Sequence, residues 1–202
     1  MMRLVADQGC PFAQRVLALA LHVGLELDRV EAPIGHTHPV ALAHSPTGRV
    51  PLLLHEGLVI GESVVIGDYV SELSGWLGFP DQPRGRARHR EAMALFDAYV
   101  VPGVFRSTPV DARTKETLHI LAALVADLPA EPSRLAFHLA PFHHRLVHWY
   151  PKGALGDALR RHPVLDVWLD AVCALGPVAA TSPSAAQAAE HIQAAAPLLA
   201  SH

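Results

Sequence analysis

Two cysteines are the first candidates for chemistry in this chain of 202 residues, and they lie in different settings. Cys10 follows a short β-like stretch and Gly9, then precedes Pro11 and a long amphipathic run, which places it at a strand-to-helix turn. A thiol at a helix N-terminus faces backbone N–H groups and the positive end of the macrodipole. It is expected to ionise below the free-thiol value of about 8.5 and to be partly thiolate at neutral pH. Ala13 stands where a dithiol motif carries its second cysteine, so the expected cycle uses one thiol. Cys173 sits in Val167-Trp168-Leu169-Asp170-Ala171-Val172-Cys173-Ala174-Leu175, where helical spacing surrounds it with apolar residues and predicts a buried, inert thiol. Among the fourteen histidines, His144 and His148 are four apart on a predicted helix, one face of a metal site. A metal needs further ligands, His36 and His38 are distant in sequence, and no acidic residue is spaced with either pair. No metal is expected.

The elements that must position Cys10 are legible around it. Arg3 to Ala6 reads as a strand, Pro11 to Val23 as a helix, and Leu27 to Ala32 as a second strand, a βαβ start. Pro11 suits the first helical position, where its missing N–H costs nothing, and Gly24 suits the residue after the helix. After an irregular His-rich, Pro-containing stretch from Pro33 to Arg49, two apolar runs flank His55-Glu56-Gly57: Val50 to Leu54 and Leu58 to Ile60. This spacing predicts a β-hairpin. Ser63 is expected to cap a helix reaching about Leu73, with Val65, Ile66, Tyr69, Val70 and Leu73 on its apolar face.

Gly75, Gly78, Pro80 and Pro83 then interrupt any regular period. The expected organisation is a small α/β domain of βαβ-ββα order over residues 1–75, a linker over 76–84, and an all-α domain over 85–202. Helices are predicted from Arg86 to about Val101 and past Pro102, from Ala112 to Leu128, Ser133 to Trp149, Val164 to Leu175, and Ser184 to Ala196.

Half of the residues are apolar, enough for one sizeable core or two smaller ones. A net charge of -3 with no basic stripe argues against nucleic-acid or anionic-membrane partners, which need clustered Lys and Arg. No apolar run approaches the roughly 18 residues of a spanning helix, the N-terminal apolar stretch is too short for a signal peptide, and two cysteines make no secreted-type disulfide framework. A soluble, cytoplasmic protein is expected.

Three segments in order resemble the glutathione transferases of the cysteine-dependent, omega-like kind. They are Cys10-Pro11-Phe12-Ala13-Gln14-Arg15, Gly48-Arg49-Val50-Pro51, and Glu62-Ser63 before a helix. Pro163 to Pro177 is similar to the family's late helix, so the resemblance spans nearly the whole chain. It implies a thioredoxin-like first domain, a helical second domain, a homodimer and a cis Val50–Pro51 bond. It also implies Cys10 as the catalytic thiol and a glutathione site built from Phe12, His38, Arg49, Val50, Pro51, Glu62 and Ser63.

In that site Val50 pairs its backbone with the cysteinyl part of glutathione, and Glu62 accepts from the ammonium. Ser63 and the helix N–H groups take the α-carboxylate. Arg49 and His38 lie toward the glycyl end. The chain departs from the family where His38 replaces a Lys before Pro39, and where Phe137 replaces an Asp after Ser133, leaving a capping box incomplete.

The implied activity is thiol transfer to or from small disulfides, glutathionyl adducts or related electrophiles. Two alternatives stand beside it: conjugation of an electrophile by bound glutathione thiolate, and a non-catalytic binding protein. Phe96, Tyr99, Phe105 and Trp149 are candidates for an acceptor pocket, with core packing the stronger expectation for most of them.

Overall fold

The computed structural model describes residues 1–33, 39–45, 48–105, 110–148 and 153–200. The chain divides into two compact units, one formed by Met1–Leu77 with Ala180–His202, the other by Gly78–Ala179.

The first unit begins with β1 (Met2–Ala6), α1 (Pro11–His22), β2 (Leu27–Glu31) and α2 (Pro39–His44), followed by β3 (Leu52–His55), β4 (Leu58–Ile60) and α3 (Ser63–Ser74). Its sheet has the order β2-β1-β3-β4, with β1 parallel to β2 and antiparallel to β3. Strand alternation sends Val5 and its partner Leu52 to one face, where they join Ala32 and Ala41 in a buried cluster with Val30, Val40 and Val50 against it. Leu4 and its partner Leu53, both fully buried, point to the other face. There α3 packs on β3 and against α1, with Val16, Leu19, Ile66 and Val70 buried. His55 of β3 and the Tyr69 hydroxyl of α3 add a hydrogen bond of 2.8 Å. Gly75 ends α3 in the left-handed conformation, which glycine adopts without steric cost.

The second unit is helical: α4 (Pro83–Leu95), a π-helical turn (Phe96–Val100), α5 (Val101–Phe105), α6 (Ala112–Val125), α7 (Arg134–His148), α8 (Ala154–Leu159) and α9 (Pro163–Cys173). The π-turn lets the helix run on through Pro102, whose ring nitrogen donates no helical hydrogen bond. α7 is the core helix, with Leu135, Ala136, Leu139, Ala140 and Phe142 fully buried. Ser133 Oγ accepts from the Ala136 N–H at 3.0 Å, so half of the capping box forms; the reciprocal position is Ala136, whose methyl group accepts nothing, and Phe137, one place on, is buried in the core.

α10 (Gly176–Thr181) leads to α11 (Ala185–Ala200). Ser184 and Gln187 open α11 reciprocally: Ser184 N–H donates to Gln187 Oε1 at 2.8 Å and Gln187 N–H to Ser184 Oγ at 3.3 Å. The expectation that residues 85–202 form one helical domain is thereby corrected for α11. Its contacts are with the turn after β1, described below, so it clusters with the first unit. Among the described residues no helix is long and apolar enough to cross a membrane.

Candidate functional site

The strand register gathers the three sequence segments. Val5 opposite Leu52 sets the C-terminal end of β1 beside the N-terminal end of β3, and Leu53 opposite Ile60 brings the end of β4 to the same edge. The residues just beyond these ends are Cys10, Val50-Pro51 and Glu62-Ser63. Ala6 opposite Glu31 adds the exit of β2 to that edge. His38 and its approach lie outside the described residues.

Cys10 is the N-cap of α1, with φ -72° and ψ 121°, and Pro11 takes the first helical position. The Cys10 carbonyl accepts from the Gln14 N–H at 3.0 Å, and its own N–H donates to the Asp7 carbonyl at 3.2 Å. The residue is 7% exposed. Phe12, half-buried in the first turn, carries the Arg15 guanidinium over its ring at 5.2 Å.

The Val50–Pro51 peptide bond is cis, as the resemblance implies. Val50 is half-buried and Pro51 buried, while Arg49 is exposed and donates its backbone N–H to Ser45 Oγ at 3.2 Å.

The third segment corrects one expectation. Ser63 is not the cap of α3 but its first residue, and the N-cap is Glu62, whose side chain makes no capping hydrogen bond. Glu62 has φ 63° and ψ 116°, a conformation that costs a non-glycine residue on the order of 1–3 kcal/mol. Ser63, 8% exposed, therefore sits at the amide-rich mouth of α3.

Comparison with known proteins decides what this edge belongs to. The family described as "Glutathione S-transferase, N-terminal domain" matches residues 9–73. A probable glutathione transferase of Aplysia californica is 31% identical over 74 residues, 37% of this chain and 75% of that protein. The chain belongs to the glutathione transferase family.

A probable glutathione S-transferase of rice, Oryza sativa subsp. japonica, is 30% identical over 136 residues, 61% of this chain and 57% of its own length. Thus the match spans little more than half of that transferase. Among solved structures, glutathione transferase Omega 1C of Trametes versicolor superposes with a TM-score of 0.74 at 18% identity, covering 98% of this chain and 97% of that one. A glutathione transferase of Methylobacterium radiotolerans, solved with glutathione sulfonate, gives 0.72 at 21% identity over 91% and 95%. At these identities the superpositions establish the fold of this chain, thioredoxin-like followed by all-α.

The second thiol behaves as its surroundings require. Cys173 Sγ donates to the Ala140 carbonyl at 3.4 Å, and burial together with the Asp170 carboxylate pushes its pKa up to about 12. Of the aromatic candidates, Phe96 and Phe105 both stack edge-to-face on Phe142 inside the helical core, and Trp149 lies outside the described residues. Tyr99 instead lines a cavity of about 130 Å³ with Pro102, Gly103, Asp111 and Thr114. Several histidines are accounted for by carboxylate partners: His138 Nε2 lies 2.9 Å from Asp97 and His143 Nε2 2.7 Å from Asp170. Among the described residues no group of three or more His, Cys, Asp or Glu is placed to hold a metal ion.

One part of the site escaped the sequence. The turn between β1 and α1 is tied to α11 by Asp7 with His191 and Gln8 with Gln187, at 2.6 and 2.8 Å, and Gln14 of α1 bonds Ser182, just before α11, at 2.9 Å. Nothing in local pattern links residues so far apart. The sole hint was Gly9, a glycine where the turn itself requires none.

Proposed function

We propose that the protein is a glutathione-dependent thiol transferase working through a mixed disulfide between Cys10 and glutathione. The observation that supports it is the convergence, by strand register, of Cys10, Val50 and Glu62-Ser63 at one sheet edge. Glutathione is extended and zwitterionic at its γ-glutamyl end. Glu62 then accepts from the ammonium, while the Ser63 hydroxyl and the first N–H groups of α3 take the α-carboxylate. The Val50 backbone pairs with the cysteinyl residue beside Pro51, Phe12 borders the thiol, and Arg49 and His38 serve the glycyl carboxylate.

Bound so, a glutathionylated substrate offers its glutathionyl sulfur to Cys10. The Cys10 thiolate attacks that sulfur, the substrate S–S bond breaks as the Cys10–glutathione bond forms, and the departing thiolate takes up a proton. A second glutathione, as thiolate, attacks the glutathionyl sulfur and leaves as glutathione disulfide, returning Cys10 to thiolate. Ala13 supports this cycle because the motif holds no second cysteine to intercept the mixed disulfide.

The low exposure of Cys10 favours a second reading, in which bound glutathione thiolate attacks an electrophile and Cys10 stands by. Cys10→Ser separates the two. Loss of disulfide exchange by about a hundredfold or more, with a glutathione adduct on native Cys10 in the mass spectrum, supports thiol transfer. Exchange at the native rate refutes it, and conjugation surviving in the variant supports the second reading. The same proposal includes a cytoplasmic homodimer. A monomeric mass by light scattering at micromolar concentration refutes the dimer.

A further inference from the structure

The turn carrying Cys10 does not hold its own shape. Asp7 follows β1 and is 7% exposed, and its Oδ1 accepts from the Gly9 N–H at 2.8 Å while lying 2.6 Å from His191 Nδ1. A carboxylate oxygen only accepts, so the hydrogen of the second bond is on His191 Nδ1. His191 is itself 5% exposed. Its Cβ and Cγ lie 2.4 and 2.9 Å from where a Gly9 side chain would begin, so the backbone just before Cys10 rests directly on this residue. Asp7 also receives the Cys10 N–H on its main-chain carbonyl. A single residue thus grips Gly9 with its side chain and Cys10 with its backbone, and His191 grips that residue.

We propose that His191 is a positioning residue for Cys10. By donating to Asp7 it fixes the Asp7–Cys10 turn, and with it the place of the sulfur relative to the N–H groups of α1. Those amides favour the thiolate only over a short range and in one direction, so a turn free to rotate would lose part of their effect. The other charged groups here are Glu31, whose Oε1 accepts from the Gln8 N–H, Glu190, 3.5 Å from the Gln8 amide, and Arg15 of α1. The part of His191 in exchange rests on the thiol-transfer reading above, but its effect on Cys10 does not.

The test uses two variants of the full chain, each first checked for native circular dichroism. In His191→Asn the amide takes the place of Nδ1 and keeps the donor to Asp7, whereas His191→Gln fills similar space with the donor displaced. The readout is the rate of iodoacetamide alkylation at Cys10 across pH, followed by mass spectrometry. Alkylation at pH 7 is expected to fall about fivefold in His191→Gln, through a raised apparent thiol pKa, and to stay within about twofold of native in His191→Asn. Under the thiol-transfer reading kcat falls in the same order with the glutathione KM within about twofold, since Val50, Glu62 and Ser63 lie on other elements. Native alkylation in both variants overturns the proposal, as does an equal loss in both, which would assign His191 to packing alone. Alkylation that follows the expected order while Cys10→Ser retains exchange leaves the positioning intact and removes only the reading of Cys10 as catalyst.

Discussion

Val5 of β1 stands opposite Leu52 of β3, and from that one antiparallel pair follows the meeting of the turn after β1 with the residues before β3. A slip of one residue would turn Leu52 to the opposite face and move Pro51 along the edge relative to Cys10. The buried cluster of Val5, Ala32, Ala41 and Leu52 resists such a slip, so the same apolar contacts that stabilise the sheet also set the register of the site.

The two cysteines are expected to separate by ionisation, not by exposure. Cys10 is the less exposed of the two, yet it alone heads a helix, while Cys173 is held near a pKa of about 12. At pH 8 a thiol of that pKa is about one part in ten thousand thiolate. Alkylation followed by mass spectrometry from pH 6 to 10 should therefore label Cys10 first and slow in the presence of glutathione. Cys173 should gain reactivity only toward the alkaline end. Preferential labelling of Cys173 in the folded protein contradicts this.

Glu62 should trade stability against affinity. With φ at 63°, Glu62→Gly relieves backbone strain and is expected to raise stability by about 1 kcal/mol, while removing the carboxylate should weaken glutathione binding by about 1 kcal/mol or more. Ser63→Ala should weaken binding by a similar amount without the gain in stability. Thermal denaturation and titration calorimetry read the two effects separately, and unchanged affinity in both variants would exclude this pocket.

Gly9→Ala is expected to be costly although the position needs no unusual dihedral. The new methyl would meet His191 Cβ at 2.4 Å and the Gln187 carbonyl at 3.0 Å, both on a packed helix. Overpacking of this kind costs about 1–3 kcal/mol. Denaturant melts should show the loss, and a native midpoint would mean that α11 yields freely.

His89 should make the protein acid-sensitive. It is buried against Phe79, its Nδ1 has no hydrogen-bond partner among the described residues, and burial lowers its pKa from 6.5. Below pH 6.5 the unfolded chain binds a proton that the folded one resists, so stability falls as the pH drops through that value. His89→Phe should flatten this decline between pH 7 and 5 in thermal melts, and an unchanged slope would locate the acid sensitivity elsewhere.

Local signals sufficed for much of this architecture because local physics decides it. Pro11 and Gly24 bracket the first helix, and the two apolar runs around Gly57 make the hairpin. α2 leaves no periodic signal, because it is six residues long with only Ala41 buried. The residue type of Ser63 favours a cap at that position. In the fold Glu62 takes the position, in a conformation its own type disfavours. The partnership of Asp7 with His191 has no sequence signature at all, since it arises from how the chain returns to its beginning.

That return has a consequence for synthesis. The partner of Asp7 is encoded 184 residues later, beyond the whole of Gly78–Ala179. Chains emerge from the ribosome in order and fold domain by domain, so the sheet and its first helices are exposed well before α11 exists. Throughout that interval the Asp7–Cys10 turn lacks His191, the residue its Asp7 side chain meets in the folded chain.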